Sequence, residues 1–311
     1  MATYTNIQGQ NILIVSSDPA NPTEGQMWYN TTSNTLKGYA AVGAWATGGN
    51  LATAKNALAG AGTQTAAAAF GGGTPGNTTE EYDGTSWSPG GNLGTARIFL
   101  AGCGTQTTAA AFGGDTPPVT NATEEYNGTS WTAGGNLATA RRLLGGCGTQ
   151  TSALAFGGEP GAPASTAVEE YNGTSWTAGG SMPIGKSRLA GAGTQTAALA
   201  FGSPAVAEEY DGTSWTTGGS LNTARQVLGG AGLQTAALAF GGEVTPNKVT
   251  EEYNGTSWTT KGDLVTGVQN LAGAGTQTSA LAIGGYAPSV GEIATTQEFT
   301  GGNAVVTLAT S

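Results

Sequence analysis

One block recurs six times along the chain, and that periodicity limits the fold more than any other property. Gly-x-Gln-Thr turns centre on Gln64, Gln106, Gln150, Gln195, Gln234 and Gln277, at spacings of 42, 44, 45, 39 and 43 residues. Trp45, Trp87, Trp131, Trp176, Trp215 and Trp258 repeat the same series. A block this short cannot bury its own apolar face, so it has to stack against its neighbours, as in solenoids and propellers.

Each block reads as four short strands. In the third copy these are the Leu-Gly-Gly-Cys-Gly run to Gly148, the Ala-Leu-Ala-Phe run to Phe156, Val168–Tyr171, and a strand opening at Trp176. Asn-Gly or Asp-Gly joins the last two, supplying the positive φ angles of a tight hairpin. No window holds an apolar period of 3.6. Four strands every 39 to 45 residues indicate an all-β chain, a β-propeller with one blade per block. The loops between the second and third strands hold 7, 9, 10, 4 and 8 residues in the first five blocks, and the rest of each block is constant at 35. These loops share one face with the connectors between blocks. Binding usually resides in loops that vary on a fixed scaffold.

Composition narrows the function. Glycine accounts for 54 of 311 residues and charged residues for 10%. Such a balance fits either disorder or an ordered repeat, and the fixed positions of the glycines favour order. With no histidine there is no Ser-His-Asp triad and no histidine-held metal; no cofactor is expected. Two cysteines build neither a zinc site nor a disulfide scaffold. They replace alanine in adjacent copies, as buried thiols would. A net charge of −10 argues against nucleic acid as a partner. The absence of an 18-residue apolar run argues against membrane insertion, and the first residues lack the pattern of a secretory signal.

A Gly-Gly pair after an apolar strand, then Tyr, then Trp five residues on, then a basic residue before the next strand, is similar to the kelch motif. The resemblance covers about residues 45–300 and implies a six-bladed kelch-like propeller with the first strand of each block lining the axis. Trp45 near the start and the strand after Glu298 are expected to meet in one blade and close the ring. Residues 1–35 stand apart as an extended arm with a hairpin, Met27–Asn30 against Thr35–Tyr39; 36–311 form the propeller. The stretch Asn21-Pro22-Thr-Glu-Gly-Gln-Met-Trp-Tyr-Asn-Thr-Thr-Ser-Asn34-Thr-Leu-Lys37 resembles a segment of tailed-phage virion proteins, where it precedes varied binding domains. That resemblance implies a virion location and docking of the arm on other virion proteins, with Ile12, Ile14, Trp28 and Tyr29 as interface residues. It is also compatible with a homo-oligomer.

Lys55, Arg97, Arg141, Lys186 and Arg225 occupy one repeated position, with Val268 in the sixth copy. Two roles fit: an anion-binding ring near the axis, or ion pairs with the repeated Glu-Glu doublets. Those doublets recur in every blade, which suits architecture better than a catalytic carboxylate pair converging on one cleft. The remaining ligand-binding candidates are loop residues: Pro75, Pro118, Pro160, Pro163, Pro204, Lys248 and Pro288. The expected function is a non-enzymatic virion component, of tail fibre, tail tip or capsid surface, presenting these loops to a host-surface glycan or receptor. The alternative is a decoration protein with no ligand.

Overall fold

A computed structural model describes residues 12–22, 26–74, 76–202 and 204–310, and among them there are strands, turns and loops but no helix. They fall into two compact units, Ala44–Thr300 and a terminal unit of Met1–Gly43 with Gly301–Ser311. No boundary falls at 35/36. Thr35 opens an unbroken strand to Thr47, whose first residues pair with Met27–Asn30 in the expected hairpin.

In the terminal unit, Leu13–Val15 runs parallel to Met27–Asn30, so this part of the arm is folded back on the hairpin rather than extended. Trp28 is completely buried. Its indole N–H donates to Asp18 Oδ1 at 3.0 Å, Asn30 Nδ2 donates to the same oxygen at 2.7 Å, and Lys37 Nζ meets Oδ2 at 2.7 Å. The bond from Lys37, followed by those from Trp28 and Asn30, holds the Asp18 carboxyl down at about 2. Trp28 is therefore the core of its own unit and not the docking residue expected. Tyr29 and Ile12 are half-buried, and Ile14 is exposed.

The larger unit is built on the inner strands Ala59–Thr63, Ala101–Gly104, Gly145–Thr149, Ala190–Thr194, Gly229–Leu233 and Ala272–Gly275. The first five each begin an antiparallel four-strand meander, and Ala272–Gly275 begins a sheet that continues through Ser279–Ile283 and Thr296–Thr310 to Thr35–Thr47. Each inner strand lies beside that of the next sheet, and Ala272–Gly275 lies beside Ala59–Thr63, which closes the cycle. In the last sheet the third strand is the 296–300 part of Thr296–Thr310, and the outer strand is the 44–47 part of Thr35–Thr47. The two ends of the repeat region thus meet in one sheet. Trp45 packs on Phe299 and on Phe240 of the preceding sheet, with ring centroids 5.1 and 5.0 Å apart.

The core is divided into wedges, each drawn from two adjacent sheets. Second strands such as Ser152–Phe156 have a neighbouring sheet on both faces. Their Ala-Leu-Ala-Phe run is buried throughout, which explains why it lacks the apolar–polar alternation of a half-exposed strand. Each Phe crosses to the Trp of the next sheet, as Phe70 does to Trp131 at 4.8 Å and Phe112 to Trp176 at 4.9 Å. The ring of Phe70 also covers Gly102, where a Cβ would sit 2.5 Å from it. Only glycine allows that approach.

Two polar devices join neighbouring sheets. The repeated Gln donates its side-chain amide to two carbonyls of the preceding sheet. Gln150 reaches Ala109 O at 2.9 Å and Tyr126 O at 2.6 Å, and Gln64 closes the circuit on Ala280 O at 3.3 Å and Phe299 O at 2.7 Å. The second Glu of each doublet accepts the Tyr hydroxyl of the following sheet, as Glu81 does from Tyr126 at 2.6 Å and Glu209 from Tyr253 at 2.6 Å. The sixth copy carries Phe299 in place of Tyr, and Glu252 of the fifth sheet pairs instead with Lys261 of its own sheet, at 2.9 Å.

Replacing Gln150 by Ala leaves two carbonyls without their donor and is expected to cost about 2 kcal/mol, at about 1 kcal/mol per bond. A lowered urea midpoint at unchanged slope would report it. Burial, followed by the Glu acceptor, raises Tyr82, Tyr126, Tyr171, Tyr210 and Tyr253 to about 12. Tyrosine in the unfolded chain releases its proton near pH 10. Stability is therefore fully present below pH 10 and falls as the pH rises from 10 towards 12. Denaturation midpoints across that window should show the slope, and replacing all five tyrosines by Phe should make it shallower, leaving the part that the buried Cys103 and Cys147 thiols add.

Candidate functional site

The repeated cations are not open to an anion. Lys55, Arg97, Arg141, Lys186 and Arg225 are 0–2% exposed. Lys55 meets Glu80 at 2.8 Å, Arg97 meets Glu124 at 2.7 Å, Arg141 meets Glu169 at 3.0 Å, and Arg225 pairs with Glu251. In these four sheets the first Glu of the doublet thus serves its own sheet, and the second, except Glu252, serves the next. The other oxygen of the first Glu takes a backbone amide three residues before the cation: Ala52, Gly94 and Ala138 at 2.6 Å and Asn222 at 2.7 Å. A buried ion pair needs such extra donors to offset its desolvation. In the sixth sheet Val268 replaces the cation and Gln297 the acid. The Gln297 amide satisfies itself on both backbone groups of Thr266, at 2.9 and 3.0 Å.

The fourth sheet breaks the pattern. Pro183 stands where the other sheets offer an amide, and proline has no N–H. Lys186 Nζ donates to Val206 O at 2.7 Å, and the buried Glu208 is left with the backbone amide of Ile184, which reaches neither oxygen in good hydrogen-bond geometry. Burial pushes the Glu208 carboxyl above, and the Lys186 ammonium below, their ordinary ranges.

Above this frame lies the mouth of the axis. Ala57, Phe99, Leu143, Arg188, Val227 and Asn270 all have φ between 51° and 58°. Non-glycine residues rarely enter this left-handed region, and each such residue costs on the order of 1 kcal/mol. What holds them is a cycle of backbone hydrogen bonds. Phe99 N–H donates to Ala57 O at 2.8 Å, Leu143 to Phe99 O at 2.9 Å, Arg188 to Leu143 O, Val227 to Arg188 O, Asn270 to Val227 O, and Ala57 to Asn270 O, these last four at 2.8 Å. The constraint is made by main-chain groups, so side chains as different as those of Ala57, Phe99, Arg188 and Asn270 occupy the position.

The sequence varies at these same places. Before the constant Leu58, Leu100, Leu144, Leu189, Leu228 and Leu271, the copies read Asn56-Ala57, Ile98-Phe99, Arg142-Leu143, Ser187-Arg188, Gln226-Val227 and Gln269-Asn270. In four copies a third variable position follows the Gly-Gly and forms an antiparallel bridge to the first: Ile98↔Asp115, Arg142↔Glu159, Gln226↔Glu243 and Gln269↔Tyr286. The position-by-position comparison of copies could have revealed these residues; attention to what is constant passes over them.

The loop candidates lie on this face. Pro118, Pro160, Pro163, Pro204 and Pro288 are exposed and Lys248 is half-buried; Pro75 lies outside the described residues. Pro118 and Pro160 border a groove of about 680 Å³ between 115–119 and 159–162. A second cavity, of about 200 Å³, lies at the mouth beside Arg188, Glu243 and Gln269. The cysteines sit in the inner strands, buried and unpaired. Burial raises Cys103 to about 12 and Cys147 further, which leaves no reactive thiolate.

No family model matches the sequence, and no curated protein matches it. Among solved structures, that of YjhT is similar, with a TM-score of 0.67 and 13% identity over 79% of this chain and 95% of that one. At this identity the likeness concerns the fold, and it agrees with the closed cycle of meanders: the larger unit is a β-propeller.

Replacing Pro183 by Ala restores an amide opposite Glu208. A hydrogen bond to a charged group contributes about 1.5–3 kcal/mol, while losing the proline returns about 0.4–1 kcal/mol of entropy to the unfolded chain. The variant is expected to be more stable by about 1 kcal/mol, read as a higher denaturant midpoint.

Proposed function

We propose that this chain is a non-enzymatic binding scaffold: a six-bladed, kelch-type propeller carried on a tailed-phage virion, whose variable face engages a host-surface glycan. One observation carries the binding role. Within nearly identical blades, the differences gather on one face, at two or three mouth positions per blade and in the loops beside them. The repeated carboxylates are engaged elsewhere. Glu80, Glu124, Glu169 and Glu251 face buried cations, and Glu81, Glu125, Glu170, Glu209 and Glu298 face tyrosines. None is placed for acid–base work on a substrate. The virion assignment draws on the resemblance of Asn21–Lys37 to phage virion segments, and the exposed Ile14 offers that unit a contact to other virion proteins.

Exchanging the loop residues 160–166 and 288–292 for the short loop of the fourth blade should abolish attachment of the purified chain to host cells while leaving its melting temperature near that of the parent. Undiminished attachment, or none by the parent, would favour decoration of the particle. A particle reconstruction would then show many copies at symmetry sites rather than a few at a tail tip.

A further inference from the structure

The groove beside the mouth has a composition that selects among glycans. Its walls are Pro117, Pro118 and Val119 from one loop and Pro160 and Ala162 from the next, and its polar lining is Asp115, Arg142 and Glu159. At about 680 Å³ it falls within the range of roughly 300–1,000 Å³ usual for small-ligand sites. Arg142 is fixed from two sides: Nη1 pairs with Asp115 Oδ2, and Nε lies 3.8 Å from Glu159 Oε2. Glu159 is in turn held by Ser187 Oγ at 2.8 Å and lies 3.5 Å from Arg188 Nε. These four charges alternate in sign across blades two to four. The side chain of Arg142 keeps 40% of its surface open, and those of Asp115 and Glu159 keep 12% and 20%.

We infer that this groove is a subsite for an uncharged saccharide. This deepens the glycan-binding reading and rests on it. A guanidinium beside a carboxylate presents donors next to acceptors. A vicinal pair of hydroxyls offers both functions and can satisfy the two together. The proline rings supply apolar C–H surface for the face of a pyranose, and the mutual pairing orders the polar groups before the ligand arrives. An acidic sugar fits worse. Arg142 is already matched by two carboxylates, and the chain as a whole carries −10, so a carboxylate or sulfate would meet net repulsion.

The test is binding of the fluorescently labelled full chain to a printed array of neutral, N-acetylated, sialylated and sulfated oligosaccharides. Binding to neutral or N-acetylated spots is expected. Arg142→Met and Glu159→Gln should each weaken it at least tenfold, and so should the double variant Pro118→Ala/Pro160→Ala, which leaves the charges intact. Thr177→Ala, on an outer strand, should bind as the parent does, and melting curves confirm that each variant is folded. Binding confined to sialylated or sulfated spots would overturn the inference while sustaining the glycan reading. Neutral binding indifferent to all three groove variants would overturn the placement. Silence on every spot, with attachment to host cells retained, would overturn both the subsite and the glycan as ligand.

Discussion

A ring has no free end, so each interface between blades has to be compatible with every other one. Here that constraint is met by hydrogen bonds that run around the circle and return to their start. On one side the carbonyl of Asn270 receives the amide of Ala57. On the other, Gln64 reaches Ala280 and Phe299. The apolar wedges between sheets supply most of the burial, and burial is tolerant of small slips. The two polar circuits are not, since a displaced blade would leave donors and carbonyls without partners on both of its flanks.

The frame also follows an electrostatic rule, and its exceptions are informative. Where a cation is present the facing acid is ionic and capped by an amide. Where Val268 replaces the cation, the acid becomes Gln297 and the charge is lost on both sides at once. Where Phe299 lacks the hydroxyl that would have met Glu252, Lys261 meets it. One place left unbalanced is Pro183, which removes a donor without altering its acceptor, Glu208. The buried charge of the frame is therefore set blade by blade, and the fourth blade carries the local defect.

Much of this was legible in the sequence, because repetition converts one local reading into six. The turn chemistry of Asn172-Gly173, the apolar run before Gly157 and the spacing of the tryptophans fixed strand order and blade outline. The meeting of Trp45 with the last strand followed from the material left at both ends. What escaped was tertiary. Nothing local separates a cation at a channel from one sealed beneath it, and Lys55 and its equivalents proved sealed. Gln150 bonds to carbonyls 24 and 41 residues away, so its constancy was visible and its role was not. Trp28 was taken for a contact residue because its partner, Asp18, reaches it only once Leu13–Val15 has folded back.

The mouth separates two properties that proteins usually have to change together. Its left-handed residues are held by main-chain bonds, which are blind to what the residue is. Alanine, phenylalanine, arginine and asparagine occupy equivalent seats without altering the seat. Exchange of one blade for another would carry a new side chain to the rim while leaving the latch untouched. The chemistry of the rim can thus change by exchange of copies the ring already has, without a new way to fold.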